Sequence, residues 1–371
     1  MTVALATQLV RPILPADLET PAAVVDLGVV RANLEAMQRL AVSAGVGLRP
    51  HVKTHKSVAI GRLQLEAGAT GITAGTIGEA EVFAAAGFDD IFLAYPVWAG
   101  GRRGERLRDL HERVRFRVGL DGPEAADALA AAMRGSPRRL EVVLEVDCGA
   151  GRSGVPPERA GDLARHAARV GLEPIGAYTY PGHGDRSQES RRQASDDEVA
   201  ALAVALEAMR AGGFEPVVAS AGSTPTAALS GRPPVTELRP GEYVFNDLGK
   251  LRLGACGVDD LALWVPTTVV SDAVPGQVIV DAGTKTLGRE GNETIGYGRV
   301  AGPPHGVLRR LNEYHGYLAI DEGSVRPAVG EVLAIAPNHV CPVVNLFDEL
   351  IVHEGGRIVG RWPVDARGHL A

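Results

Sequence analysis

Eight residues near the start of the chain, Arg49-Pro-His-Val-Lys-Thr-His-Lys56, gather two lysines, two histidines and an arginine at the end of a strand-like run, Gly47–Lys53. Alternation along a strand points His51 and Lys53 the same way and Val52 the other. A lysine crowded by cations and partly buried loses basicity, and its amine becomes nucleophilic toward a carbonyl. A solvated basic loop is the plainer account of the same residues. Lys56, beyond the strand end, and Lys285, much later in the chain, compete for that role less strongly. A second pair is His339-Val-Cys341. On a strand, residues i and i+2 share a face, so an imidazole and a thiolate there converge on one metal ion. That donor pair favours Zn over Mg or Ca, with Mn or Co also compatible. Two ligands alone make an incomplete site, and a cysteine packed on a strand is the plainer account.

Two glycine-bearing loops offer anion chemistry. Gly149-Ala-Gly-Arg-Ser-Gly154 follows the run Leu140–Asp147 and fits the dinucleotide template. Pro156-Pro157 separates those glycines from the next helix, however. The following strand, Glu173–Tyr180, also ends without the acidic residue that would hold a ribose. The segment reads instead as a loop carrying Asp147 and Arg152 to a rim. Gly222-Ser-Thr224, after the run Pro216–Ala221, opens a helical turn whose N–H groups and hydroxyls suit an anion; it is also a common way to begin a helix. Tyr178, Tyr180 and His183 follow another strand, where they either handle protons or, with Pro181 and Gly182, form a plain rim loop.

The elements that must position these residues alternate. Val/Ile-rich runs at Ala22–Leu27, Gly47–Lys53, Gly71–Ala74, Asp90–Tyr95, Arg115–Leu120, Leu140–Asp147, Glu173–Tyr180, Pro216–Ala221 and Thr236–Phe245 are separated by stretches of helical period. Those include Val29–Ala44, Ile77–Ala86, Glu124–Met133, Glu158–Val170 and Ser190–Ala211. Alternation of this kind calls for a parallel sheet with right-handed crossovers. Nine runs are one too many for an eight-stranded barrel, and Ala22–Leu27 is the surplus. Beyond about Asp247 helical periods nearly vanish. Leu261–Val270, Gln277–Asp281, Glu331–Ile335, Val340–Leu346 and Glu349–His353 read as strands, with Gly355-Gly356 as a hairpin turn. A barrel with a β appendage is the predicted architecture.

Composition sets the outer bounds. The chain has 371 residues, 45% apolar and 22% charged, with a formal net charge of −7. Those values exclude a disordered or fibrous chain and give no electrostatic footprint for nucleic acid. No apolar run is long enough to span a bilayer, and Met1–Pro12 lacks the pattern of a secretory signal. Three widely spaced cysteines, Cys148, Cys256 and Cys341, suit reduced thiols in a cytoplasm.

Arg49–Lys56 resembles the lysine segment of the D-threonine aldolase and D-serine dehydratase family, pyridoxal-phosphate enzymes on the alanine racemase barrel (fold type III). The likeness continues in order through Glu145–Gly154, Ala221–Pro225, Glu237–Tyr243, Asp281–Lys285, Pro337–Cys341 and Trp362–Gly368, nearly the whole chain. It implies a pyridoxal-phosphate-binding (β/α)8 TIM-type barrel over residues 28–246. A C-terminal mainly-β domain, residues 247–371 with 1–27, would carry a metal. The resemblance makes Lys53 the cofactor's lysine. It gives the phosphate to Gly222, Ser223, Thr224, Gly241 and Tyr243, sets Arg239 against the pyridine nitrogen and puts Arg152 near the phenolic oxygen. Either arginine could instead pair with Asp147 or Glu237. Catalytic candidates are Lys53, His51, Tyr180 and His183, with Tyr180 also flanking the cofactor. His339 and Cys341 match the family's metal-ligand pair, His-x-Cys in the dehydratases and His-x-Asp in the aldolases. Glu313-Tyr-His-Gly316 departs from it, since relatives read Glu-His-Gly after an acidic residue and Tyr314 stands in the way.

The implied reaction is metal-assisted lysis of a D-3-hydroxy amino acid. The D-threonine aldolase type, giving glycine and an aldehyde, is expected first. β-Elimination of the D-serine or D-3-hydroxyaspartate dehydratase type is the alternative, followed by an amino-acid racemase and a non-catalytic pyridoxal-phosphate-binding protein. The expected partners are a small D-amino acid and a second copy in a homodimer, with no nucleic acid and no membrane.

Overall fold

Short, fully buried β-branched runs separated by alanine-rich helices leave the parallel strands little choice but to pair with one another, and they do so in a ring. The computed structural model describes residues 9–371. Residues 1–8 lie outside the described residues, so part of the segment expected to lack a signal and to join the β domain lies there too. In chain order the strands are β1 (Val24–Asp26), β2 (Gly47–Leu48), β3 (Ile72–Ala74), β4 (Asp90–Leu93), β5 (Arg115–Leu120), β6 (Glu141–Glu145), β7 (Glu173–Tyr178), β8 (Val218–Ala221), β9 (Glu237–Leu238), β10 (Leu263–Ser271), β11 (Val278–Val280), β12 (Arg299–Ala301), β13 (Gly306–Leu311), β14 (Gly316–Ile320), β15 (Val332–Ala336), β16 (Glu349–Glu354) and β17 (Arg357–Pro363).

The chain divides into two compact units. One comprises Glu35–Lys53, Ile60–Gly241 and Gly368–Ala371. Its parallel sheet runs β2-β9-β8-β7-β6-β5-β4-β3, and a parallel bridge from His51 to Thr73 joins the two ends. The result is the expected eight-stranded (β/α) barrel. Its helices begin where the sequence supplies caps: Thr76 accepts from Glu79 N–H at the start of Ile77–Ala85, and Ser187 forms a capping box with Ser190 at the start of Gln188–Ala211. Gly119 in β5 has to be glycine, because a Cβ there would lie 2.4 Å from the Tyr178 hydroxyl.

The other unit holds residues up to Leu34, Thr54–Ala59 and Glu242–Arg367. Strand β10 is long enough to pair with β1, β15 and β11 in turn, which closes β10-β11-β14-β13-β12-β15 into an antiparallel barrel. β1 lies between β10 and β16, parallel to the latter. The surplus run Ala22–Leu27 thus belongs to this sheet, as the strand count required. Gly355 and Gly356, with φ of 54° and 83°, make the β16–β17 hairpin. No helix among the described residues is long and apolar enough to cross a membrane.

Four features depart from expectation. Val340–Leu346 is a helix with His339 at its N-cap, not a strand; a seven-residue apolar run has no period of its own, and Pro342 fits a first helical turn. The lysine strand ends early, and Val52–His55 is a turn. Strands β12, β13 and β14 lie in a glycine- and arginine-rich stretch where alternation is masked. Thr236–Phe245 likewise shrinks to β9 followed by a 3₁₀ turn at Glu242–Val244.

Candidate active site and metal centre

The barrel candidates all follow C-terminal ends of strands, the face on which barrels of this kind do chemistry. Lys53 lies past β2, exposed to solvent and not partly buried as the sequence suggested. Its backbone N–H donates to His51 Nδ1 at 3.3 Å, so the two residues meet through main chain and not by sharing a strand face. Its ammonium sits 5.8 Å from the centre of the Tyr180 ring, and the Arg152 guanidinium stacks on that ring at 4.5 Å. Lys53, Tyr180 and Arg152 are therefore brought together. Arg152 pairs with the buried Glu145 at 3.3 Å and not with Asp147. Asp147 accepts instead from the Gly149 and Gly151 amides, which turns the glycine-rich loop back on itself and away from any anion.

His183 Nε2 lies 3.0 Å from Asp197, whose other oxygen accepts from Gln193. This leaves Nδ1 with no hydrogen-bond partner among the described residues. The carboxylate was not foreseen: it stands fourteen residues on in sequence, about two turns into helical periodicity that reads as solvated surface. Arg239 is buried deeper. Its guanidinium donates to Ser220 Oγ and to the Thr179 carbonyl, the latter at 2.7 Å, and stacks 5.2 Å from the Tyr178 ring, so it makes no direct hydrogen bond to Glu237. Burial lowers its pKa.

The segment expected to take a phosphate offers fewer donors than the sequence suggested. Gly222 N–H is donated to the buried Glu198 at 2.8 Å and Ser223 N–H to Thr226 Oγ1 at 3.0 Å. Neither amide points outward, and the Ser223 hydroxyl also meets Thr226 Oγ1 at 3.2 Å. Gly241 and Tyr243 flank Glu242 just beyond β9, both buried. Of the competing lysines, Lys56 is buried and donates to the Ala366 carbonyl, and Lys285 pairs with Glu313 and Tyr314.

In the other unit the helix start does what a strand was expected to do. N-cap His339 and first-turn Cys341 turn toward a third residue, Glu242, and one ligand atom from each lies within 4.8 Å of the others. His339 Nδ1 is 2.8 Å from Glu242 Oε1 and 3.3 Å from Asp247 Oδ2, and Cys341 Sγ is 3.9 Å from Glu242 Oε1. Lys250 holds the second Glu242 oxygen at 3.0 Å. Burial works against charge on both His339 and Glu242. Hydrogen bonds to Asp247, Cys341 and Glu242 nonetheless keep the imidazole protonated far above its usual range, while His339 and Lys250 pull the Glu242 carboxyl down to about 2. One nitrogen, one sulfur and one oxygen fit a divalent ion with a position left for substrate, and an ion on the imidazole would take the place of its proton.

The chain matches the alanine racemase N-terminal domain over residues 25–248 and the putative serine dehydratase domain over residues 262–353. D-threo-3-hydroxyaspartate dehydratase of Delftia sp. (strain HT23) is 38% identical over 347 residues, covering 87% of this chain and 91% of the relative. D-threonine aldolase of Arthrobacter sp is 32% identical over 360 residues, covering 95% and 94%. The chain belongs to the D-threonine aldolase and D-serine dehydratase family. It is a pyridoxal-phosphate-dependent lyase on the alanine racemase fold. The solved structure of a cysteine-to-alanine variant of D-threo-3-hydroxyaspartate dehydratase, in its metal-free form, is similar with a TM-score of 0.87 at 35% identity, covering 94% of this chain and 97% of that one. Within this family's sequence pattern, Glu242 was in plain view inside Arg239-Pro-Gly-Glu-Tyr243. Only the fold brings it to His339 and Cys341, 97 and 99 residues later in sequence.

Proposed function

We infer that this lyase acts on D-3-hydroxy amino acids with the help of a divalent metal, cleaving Cα–Cβ to glycine and an aldehyde. The observation that carries the reading is the three-donor cluster of Glu242, His339 and Cys341. A racemase or a passive cofactor carrier has no use for such a cluster, whereas a substrate with a β-hydroxyl does. When bound, pyridoxal phosphate supplies an electron sink at Cα and the ion supplies a Lewis acid for the β-oxygen. Lys53 holds the cofactor, Tyr180 and Arg152 flank it, and Ser223, Thr224, Gly241 and Tyr243 receive its phosphate. Arg239, committed to Ser220 and Thr179, steadies the floor beneath the ring. His339, Cys341 and Glu242 hold the ion, zinc by donor type with manganese or cobalt compatible.

Aldol cleavage needs a base for the hydroxyl proton that is distinct from the lysine. His183, held by Asp197 through Nε2, retains a lone pair on Nδ1 for it. Dehydration is the second reading, and Cys341 favours it: the 38% identical relative is a dehydratase, and the metal-free variant similar to this chain lacks a cysteine. In that case Lys53 takes the α-proton and hydroxide departs. Incubation with D-threonine and D-serine, followed by assays for glycine and keto acid, separates the two. Glycine with acetaldehyde is expected; keto acid and ammonia alone would replace aldol cleavage with dehydration.

A further inference from the structure

The motif Arg49–Lys56 contains a residue that neither the cofactor nor the fold accounts for. We propose that Thr54 is a positioning residue for the metal, fixing the Cys341 thiolate by a hydrogen bond; this rests on the reading of Cys341 as a metal ligand. Thr54 is fully buried, and its hydroxyl oxygen lies 3.3 Å from Cys341 Sγ. Valine has the same shape, so packing alone does not call for a hydroxyl at this position. While the sulfur carries its proton, the thiol donates to Thr54. Metal binding removes that proton, and a thiolate can only accept. Of the groups hydrogen-bonded to Sγ, the Glu242 carboxylate has no proton to give and His339 would exchange its own for the ion, so with metal bound the Thr54 hydroxyl is the donor that remains. Rotation about Cβ–Oγ reverses the bond with no movement of heavy atoms. The thiolate is then held in one orientation and part of its charge is stabilised, as outer-shell donors do for metal ligands generally. Thr54 is covalently next to Lys53.

The test compares cobalt-substituted holoenzyme of wild type, Thr54→Val and Thr54→Ser, reading the sulfur-to-cobalt charge-transfer band and the zinc dissociation constant; neither depends on turnover. Thr54→Val is expected to move the band to lower energy and to weaken zinc by about tenfold, while Thr54→Ser stays near wild type in both. Thr54→Ala, which leaves room and adds no bulk, stands in if the valine variant does not fold, with the same expectation. An unshifted band with wild-type zinc affinity in the variants lacking the hydroxyl would overturn the proposal, as would a serine variant that shifts as far as valine. Absence of any sulfur-to-cobalt band in the wild type would be a different failure. It would remove Cys341 from the metal and take both readings with it.

Discussion

Cys341 brings a soft donor to a cluster whose other two ligand atoms are nitrogen and oxygen, and a soft donor discriminates among metals. Replacing it with alanine should weaken zinc by more than the roughly 10–100-fold typical of an outer-shell change. Glu242→Gln removes the charge that meets both His339 and Cys341 while keeping the shape. It should lower zinc affinity by at least about tenfold, read by competition with a chromophoric chelator, and zinc bound as tightly as in wild type would strike Glu242 from the ligand set. At the other site, Lys53→Ala should leave the protein folded but colourless and inactive. A visible cofactor band that survives in that variant would point to another lysine, although Lys56 is buried against Ala366 and Lys285 engages Glu313 and Tyr314.

Single side chains also hold whole elements in place. Asp247 caps the helix Leu248–Arg252 through Lys250 N–H at 2.9 Å, accepts from Val340 N–H at 3.1 Å and faces His339. Asp247→Ala leaves two buried amides unmatched, so a loss of about 2–4 kcal/mol is expected in urea unfolding. Glu198 does the same for the Gly222–Thr224 segment, accepting from Gly222 N–H and Ser230. Burial raises its pKa despite those bonds. An acid whose folded pKa exceeds its unfolded one binds more protons when folded, so this residue's share of stability falls as pH rises from the ordinary carboxylate range to the folded value and is level above it. Glu198→Gln should therefore flatten that fall relative to wild type; an unchanged slope would mean the carboxyl is not buried as described. These capping roles were not legible in the sequence, because Glu198 sits in helical periodicity and Asp247 in a loop. The barrel was legible, since runs such as Arg115–Leu120 can only be central strands. The helix at Val340–Leu346 was not, and with it went the geometry of the His339–Cys341 pair: the two residues that the fold gathers with Glu242 were paired for a strand-based reason that does not apply.

For the molecule as a whole, the sequence weaves two units from separated segments, and the lysine motif divides between them, Lys53 in one and Thr54–Ala59 in the other. Spacing alone does not disclose such a division, and neither does the family likeness, which set the whole motif within the barrel of residues 28–246. Lysis of a D-3-hydroxy amino acid as proposed needs both halves of the chemistry, an amine-bound cofactor and a metal. The measurement that tests this most directly is glycine and aldehyde release from D-threonine by the purified holoenzyme, before and after chelation and again after zinc or manganese is restored. Release that vanishes with the chelator and returns with the metal, while the cofactor's visible band persists throughout, is the predicted result. Turnover indifferent to the chelator, or interconversion of D- and L-amino acids with no bond cleaved beyond Cα–H, would contradict it.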